Sequence, residues 1–258
     1  MKKLKTTGFT IVEVFVAILV IALIVGAGYF AYTKKMPQKT TSSNTSDVAT
    51  NSEVKIKHLG VNLGDYDPST NKAGDFEFTK EKISFNTLIY EYGFEVPANS
   101  VGPAKKNPQP TFILPLGTKV HSLVDGVVYN VPKLYSNDYS VMVKGEGSDL
   151  IFETEHVINV KVKKGDRVKA GDVVAEVSDY DTKNTAGLGL VEIGVLKGGS
   201  PPSHVCPFDY LDVSIKDQTL KNIAALQKSW EDYRGDSTIY DESKVVIPGC
   251  LTRDPIEG

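Results

Sequence analysis

Concentrated positive charge is missing from this chain. Its 258 residues carry 29 Lys and Arg against 32 Asp and Glu, a formal net charge of -3. A nucleic-acid partner needs a basic surface to displace counterions from the phosphate backbone, so that class is excluded. Cysteine is scarce as well: Cys206 and Cys250 form neither a Cys-x-x-Cys motif nor a zinc-ribbon spacing. The expected state is a Cys206–Cys250 disulfide tying the C-terminal tail to the body of the fold, with two buried thiols as the alternative. Histidine occurs at His58, His121, His156 and His204 and never as His-Glu-x-x-His, and no Gly-x-Ser-x-Gly elbow is present. These absences remove the helical zinc-protease arrangement and the strained serine nucleophile.

Long apolar runs are rare except at the amino terminus. Val14 to Tyr32 is free of charge for 19 residues, about 28 Å of helix, which matches the hydrocarbon core of a bilayer. Tyr29, Phe30 and Tyr32 mark its far interface, which favours a single membrane span over a cleaved signal peptide. Thr33 to Glu53 is rich in Ser, Thr and Asn with almost no apolar content, so it reads as a flexible tether.

Ahead of the apolar run stands Gly8-Phe9-Thr10-Ile11-Val12-Glu13. It resembles the processing site of type IV prepilins and pseudopilins. The resemblance implies cleavage after Gly8, a new amino terminus at Phe9, and a glutamate at the fifth mature position, where Glu13 falls. A carboxylate heading an apolar helix is costly in lipid and calls for a partner. In pilins that partner is the neighbouring subunit's amino terminus. The resemblance covers about the first thirty residues and ends at the tether, where pilins continue into an amphipathic half-helix.

The first folded stretch reads as a strand over Lys55 to Val61, a turn cluster over Asp65 to Asn71, and a strongly aromatic segment containing Phe76, Phe78, Phe85, Tyr90, Tyr92 and Phe94. The aromatic segment is a packing layer or a groove for a carbohydrate or peptide. Asp65, Asp67, Asn71 and Asp75 lack the glycine and glutamate that a calcium loop needs at its sixth and twelfth positions. A proline-rich connector, Val101 to Pro110, leads into the main module. Short strands are expected at Thr111–Leu114, Lys119–Leu123, Val127–Val131, Ser140–Val143, Leu150–Glu153, Val160–Val162, Val173–Val177 and Leu190–Leu196, punctuated by glycine turns. Val160 to Asp179 forms the organising corner, with Gly165 and Gly171 in its tight turns. The pattern is that of an all-β sandwich or barrel. A helix from about Lys216 to Tyr233 presents Leu220, Ile223, Leu226 and Trp230 on one face and ends at Gly235.

From Gly117-Thr118-Lys119-Val120 through Asp125-Gly126-Val127-Val128, Val160 to Val177, Leu190 to Val195 and Pro207 to Leu211, the module is similar to a LytM-type M23 metallopeptidase domain. That family cuts peptide cross-bridges of peptidoglycan with a zinc-bound water. Its metal is held by an early His-x-x-x-Asp and by the second histidine of a late His-x-His, three protein ligands that leave one position open. Here the early pair falls near Asn107 and Thr111, and the late motif falls on Leu190-Val191-Glu192. The family's further histidine, in a Tyr-x-His-Leu run, matches His156 in Thr154-Glu155-His156-Val157, so the resemblance implies a catalytic-type role for His156. Without a metal it can donate a hydrogen bond to a bound peptide carbonyl; otherwise it is a structural residue holding a loop. A rearranged zinc site of His156, His121 and Glu192 is the alternative. The glycine-valine corner also resembles carrier domains, but Lys169-Ala170-Gly171 lacks their lysine setting.

The expected fold is therefore mainly β, an M23-like sandwich or barrel with a C-terminal helix, preceded by a single transmembrane helix. The expected segments are a leader and membrane helix over 1–32, a linker over 33–53, an accessory segment over 54–110, the β domain over 111–215, and a helix and tail over 216–258. The expected function is a membrane-anchored, extracytoplasmic domain without catalysis, binding cell-wall peptide or an envelope protein, with no cofactor. The alternatives are a zinc-dependent peptidoglycan endopeptidase with a rearranged site and a pilin-like filament subunit.

Overall fold

The computed structural model describes residues 53–98 and 103–257. The membrane run, the tether and the prepilin-like residues Gly8, Phe9 and Glu13 lie outside them. No helix among the described residues is long and apolar enough to cross a membrane.

Alternating side chains in the central stretch produce one antiparallel sheet of eleven strands. In chain order these are β1 (Ile89–Tyr90), β2 (Thr111–Leu114), β3 (Lys119–His121), β4 (Gly126–Asn130), β5 (Tyr139–Lys144), β6 (Ile151–Ile158), β7 (Arg167–Val168), β8 (Val173–Val177), β9 (Gly189–Gly199), β10 (Pro202–His204) and β11 (Ile256–Glu257). The main path runs β7-β4-β5-β6-β9-β10-β11. The length of β9 lets it serve three neighbours: Glu192 to Leu196 pair with β6, Gly189 to Glu192 with β2, and Leu196 to Gly199 with β10. β8 pairs with both β6 and β3. Because β9 joins the early strand β2 to the middle of the sheet, side chains far apart in sequence meet on its two faces.

One face is apolar. Val191, Ile193 and Val195 of β9 are fully buried, with Phe112 and Leu114 of β2 on the same face. The aromatic segment packs on them as a layer: Phe76 meets Phe112 edge-on at 5.9 Å between centroids, and Phe78 meets Trp230 at 5.3 Å. Burial of such rings is worth roughly 2–3 kcal/mol each by area, which accounts for the cohesion of the layer. Trp230 comes from the single α-helix described, α1 (Lys216–Arg234). Its buried positions, Ile223, Leu226, Gln227, Trp230 and Glu231, recur at three- and four-residue steps. Gly235, at φ 70°, closes it with backbone bonds to Glu231 and Asp232. Cys206 and Cys250 form a disulfide, and the tail adds β11 to the sheet edge beside β10.

Two expected strands are absent. Lys55 to Val61 makes only an isolated bridge, Ile56 with Leu211, because the Lys57 and His58 amides turn to the Leu123 carbonyl and Gly60 bends at φ 89°. Val160 to Val162 likewise leaves the sheet, since Asn159 adopts φ 50° directly after β6; the short strand of that corner is β7. Gly165 and Gly171 take the expected turn conformation, at φ 93° and 88°. β6 runs on to Ile158, beyond the expected end at Glu153. The Asp65 to Asp75 cluster lies in the turns of a small separate antiparallel sheet of Tyr66–Asp67, Lys72–Ala73 and Phe76–Glu77: Asp67 caps Ser69, and Asp75 accepts from the Asn62 backbone and side chain.

Candidate functional site

The residue before each strand residue decides what the other face of the sheet carries. Between the buried valines and isoleucine of β9 stand Glu192 and Gly194, and on β6 the residues of the same face are Glu153 and Glu155. Register sets Glu153 opposite Gly194 and Glu155 opposite Glu192, while Thr111 of β2 flanks Glu192 from the other side. The polar face is thus built from three strands.

The first layer of contacts closes on itself. Asn107 Nδ2 donates to the Gln109 carbonyl at 2.5 Å and to Thr111 Oγ1 at 3.3 Å. Thr111 Oγ1 donates to Glu192 Oε1 at 3.1 Å. Gln109 Nε2 donates to Glu153 Oε1 at 2.9 Å and to Glu155 Oε2 at 3.2 Å. Glu153, fully buried, also accepts from Ser140 Oγ and lies 3.0 Å from His204 Nε2. Gly194 makes this arrangement possible: a Cβ there would stand 2.7 Å from Glu153 Oε1 and 2.8 Å from Gln109 Nε2.

His156 enters from a bulge. Tyr139 pairs with Val157 but Val141 pairs with Thr154, so Glu155 and His156 together face one residue of β5. His156 takes φ 54°, a strained conformation for a side-chain-bearing residue. Its Nδ1 lies 2.9 Å from Asp138 Oδ2, and Asp138 accepts further bonds from Ser178 Oγ at 2.7 Å and from Ser136. Tyr180 stacks on the imidazole at 4.4 Å, and Tyr135 stands edge-on to both rings.

The charges respond to this crowding. Burial and the neighbouring Glu153 and Glu192 push the Glu155 carboxyl up to about 7. Burial raises Glu192 as well. Burial opposes the charged forms of His156 and Asp138, yet the hydrogen bond between them prevails. His156, further favoured by Glu192 and Glu155, is raised, and Asp138 is lowered. Asp138 therefore fixes the proton on Nδ1.

Of the expected site residues, Glu192 and His156 come together in this cluster. His121 does not. Its ring packs on His58 at 4.7 Å between centroids and its Nδ1 lies 2.7 Å from the Gly171 carbonyl, at the β3–β8 pairing, so the rearranged His156, His121 and Glu192 site is not assembled. His204 lies on β10 against Glu153. Gln109, Asp138, Glu153, Glu155, Ser178 and Tyr180 were missed. The signal for two of them was available: glutamates at 153 and 155 share one face once β6 is drawn to its full length.

The zinc that the M23 resemblance implies does not fit this donor set. At the positions of the early ligands stand an amide and a hydroxyl, Asn107 and Thr111, whose hydrogens are already committed to neighbours. At the late motif stand Leu190 and Glu192. Among the described residues no three His, Cys, Asp or Glu side chains are grouped to hold a metal ion.

A comparison with curated proteins found no match. Solved structures similar to this chain include the catalytic domain of the prophage-encoded M23 protein EnpA from Enterococcus faecalis, 24% identical over 46% of this chain and 85% of that one, with a TM-score of 0.36. Lysostaphin from Staphylococcus simulans is 17% identical over 49% and 52%, with a TM-score of 0.38. Csd3 from Helicobacter pylori is 15% identical over 70% and 42%, with a TM-score of 0.35. Residues 110–199, from the lead-in to β2 through the end of β9, match the model of Peptidase family M23.

Proposed function

We propose that this chain is an extracytoplasmic, membrane-held, M23-like domain that binds cell-wall peptide or an envelope protein without hydrolysing it. One observation carries the reading. Where the resemblance calls for metal ligands, Asn107, Gln109, Thr111 and Glu192 are linked into a chain of mutual hydrogen bonds, while His156 keeps its place beside them. An M23-like frame with those substitutions retains a polar cleft for a peptide and lacks the side chains that would activate water. The charge-free run Val14 to Tyr32 supports the membrane anchor, and the Cys206–Cys250 disulfide supports an oxidising compartment.

Co-sedimentation of the full-length protein with insoluble peptidoglycan, followed by a count of newly released peptide amino groups, tests the reading. The expected result is retention with no release. Release that rises with protein concentration and is lost on chelation overturns it in favour of a zinc endopeptidase. A second reading, a pilin-like subunit, rests on Gly8, Phe9 and Glu13. It predicts a mature amino terminus at Phe9 and assembly that depends on Glu13.

A further inference from the structure

Lys55 to Val61 is seated on an edge of the sheet, away from the polar cluster. β3 pairs with β8 on one side. On the other side the His121 backbone N–H donates to the Gly60 carbonyl at 2.8 Å, so this stretch covers the edge that a further strand would use. The Lys57 and His58 amides donate to the Leu123 carbonyl at 2.9 and 3.3 Å, and Ile56, Leu59 and Val61 are buried. Among these anchors lie two imidazoles, His58 and His121, 4.7 Å apart between ring centroids.

Backbone partners fix the protons on both rings. The Gly60 N–H donates to His58 Nδ1 at 3.0 Å, so that nitrogen must keep its lone pair, and the ring is neutral with its proton on Nε2. His121 Nδ1 lies 2.7 Å from the Gly171 carbonyl, which can only accept, so His121 carries a proton on Nδ1. The two rings therefore respond differently to acid. A second proton on His121 leaves its bond to Gly171 intact. A second proton on His58 sets one N–H against another at Gly60 and places a positive charge beside the neighbouring imidazole.

The surroundings of His58 do little to soften that conflict. Burial and His121 lower its pKa, and only Asp75 opposes them, with a carboxylate already accepting twice from Asn62. Lys57 and Asp125 pair with each other. The turn whose Gly171 lies against the ring carries Lys169 and Asp172, with the Asp172 carboxylate accepting from the Lys169 amide. Thr219 and Asn222 of α1, which line the same hollow as His58, are uncharged.

We propose that His58 and His121 form a pH-sensitive latch, which seats residues 57–61 on the edge of β3 at neutral pH and releases them when His58 gains a proton on Nδ1. The sign follows from linkage. The released turn takes up a proton at the ordinary imidazole value of 6.5, whereas the latched ring does so only at lower pH. The latched form is therefore fully favoured above that value and loses stability as the pH falls below it. Burial of Leu59 and Val61 opposes release, so the change is a local opening that leaves the sheet folded. It bares the edge of β3.

Amide hydrogen exchange of the full-length protein in detergent micelles, read by nuclear magnetic resonance at about pH 7.5 and about pH 5 and corrected for the intrinsic rate, tests the latch. Protection of the Gly60 and His121 amides is expected to fall by roughly fivefold or more at the lower pH. The ceiling is about thirtyfold for an imidazole of pKa about 6.5 that cannot take a proton while latched. The Ile193 amide, bonded to the Pro110 carbonyl, should keep its protection. His58→Asn supplies a rescue: an Asn Oδ1 accepts from the amide two residues on, as Nδ1 does here, and does not titrate. Its fall should stay below about twofold. Nitrogen shifts of the parent's His58 should show Nδ1 bare near pH 7.5. A proton on Nδ1 at that pH, equal protection of Gly60 at both pH values, the parent's fall repeated in His58→Asn, or an equal fall at Ile193 overturns the proposal.

Discussion

Val191, Ile193 and Val195 alternate with Glu192 and Gly194 along one strand, and the two sets live in different chemistry. The first is sealed under Phe112 and the aromatic layer; the second lies among carboxylates, an amide and an imidazole. The apolar face holds by area alone and tolerates any side chain of similar volume and shape. The polar face holds only if each donor finds its acceptor, and it sets two buried carboxyls, Glu155 and Glu192, directly opposite each other beside His156. The difference between them separates what keeps the sheet together from what the sheet displays.

Truncating the apolar face should give the largest effect. Phe112→Ala, which empties the contact with Phe76, is expected to lower stability by about 3–5 kcal/mol in denaturant unfolding. On the polar face, Glu153→Ala leaves Gln109, Ser140 and His204 without their shared acceptor and should cost roughly 2–3 kcal/mol in the same experiment. A cost below that of an ordinary surface mutation would mean that the network is not formed.

Glu155→Gln should do the opposite. Burial and the neighbouring Glu153 and Glu192 raise the folded-state carboxyl to about 7, above its ordinary value of 4.5. Below the lower value both states are protonated and nothing is lost. As the pH climbs between the two, the unfolded chain sheds its proton while the folded one keeps it, so stability falls and then levels off. The glutamine variant removes that penalty, so it is expected to be more stable by about 2 kcal/mol above pH 7 and equal to the parent near pH 4. Thermal melts at the two pH values check it, and a gain independent of pH would contradict the charge explanation. The smallest change is Gly194→Ala, whose methyl must push back the tips of Glu153 and Gln109. About 1 kcal/mol is expected in the same denaturant unfolding.

The apolar face was legible in the sequence because alternation survives any choice among Val, Ile and Leu. Thr111–Leu114 and Val173–Val177 fall where expected, and α1 ends one residue past its expected limit. The misses share a cause. Lys55 to Val61 has a strand's pattern, but no neighbouring strand offers it a ladder, and its amides go to Leu123 instead. Gln109 was hidden in a proline-rich connector, and its role depends on Glu153 and Glu155, more than forty positions away. His156 was found through resemblance, yet its anchor Asp138 had no local signal, since the bond between them spans the β5–β6 hairpin. The left-handed bulge that aims the imidazole was equally silent, because nothing in Thr154-Glu155-His156-Val157 requires it. Polar pairings across strands are fixed by register, which emerges only when the sheet closes.

Metal content puts the account to its most direct test. The full-length protein, equilibrated with excess zinc and then dialysed, should retain far less than one zinc per chain by mass spectrometry, with no difference between the parent and His156→Ala. One firmly held zinc per chain that disappears in His156→Ala would contradict it.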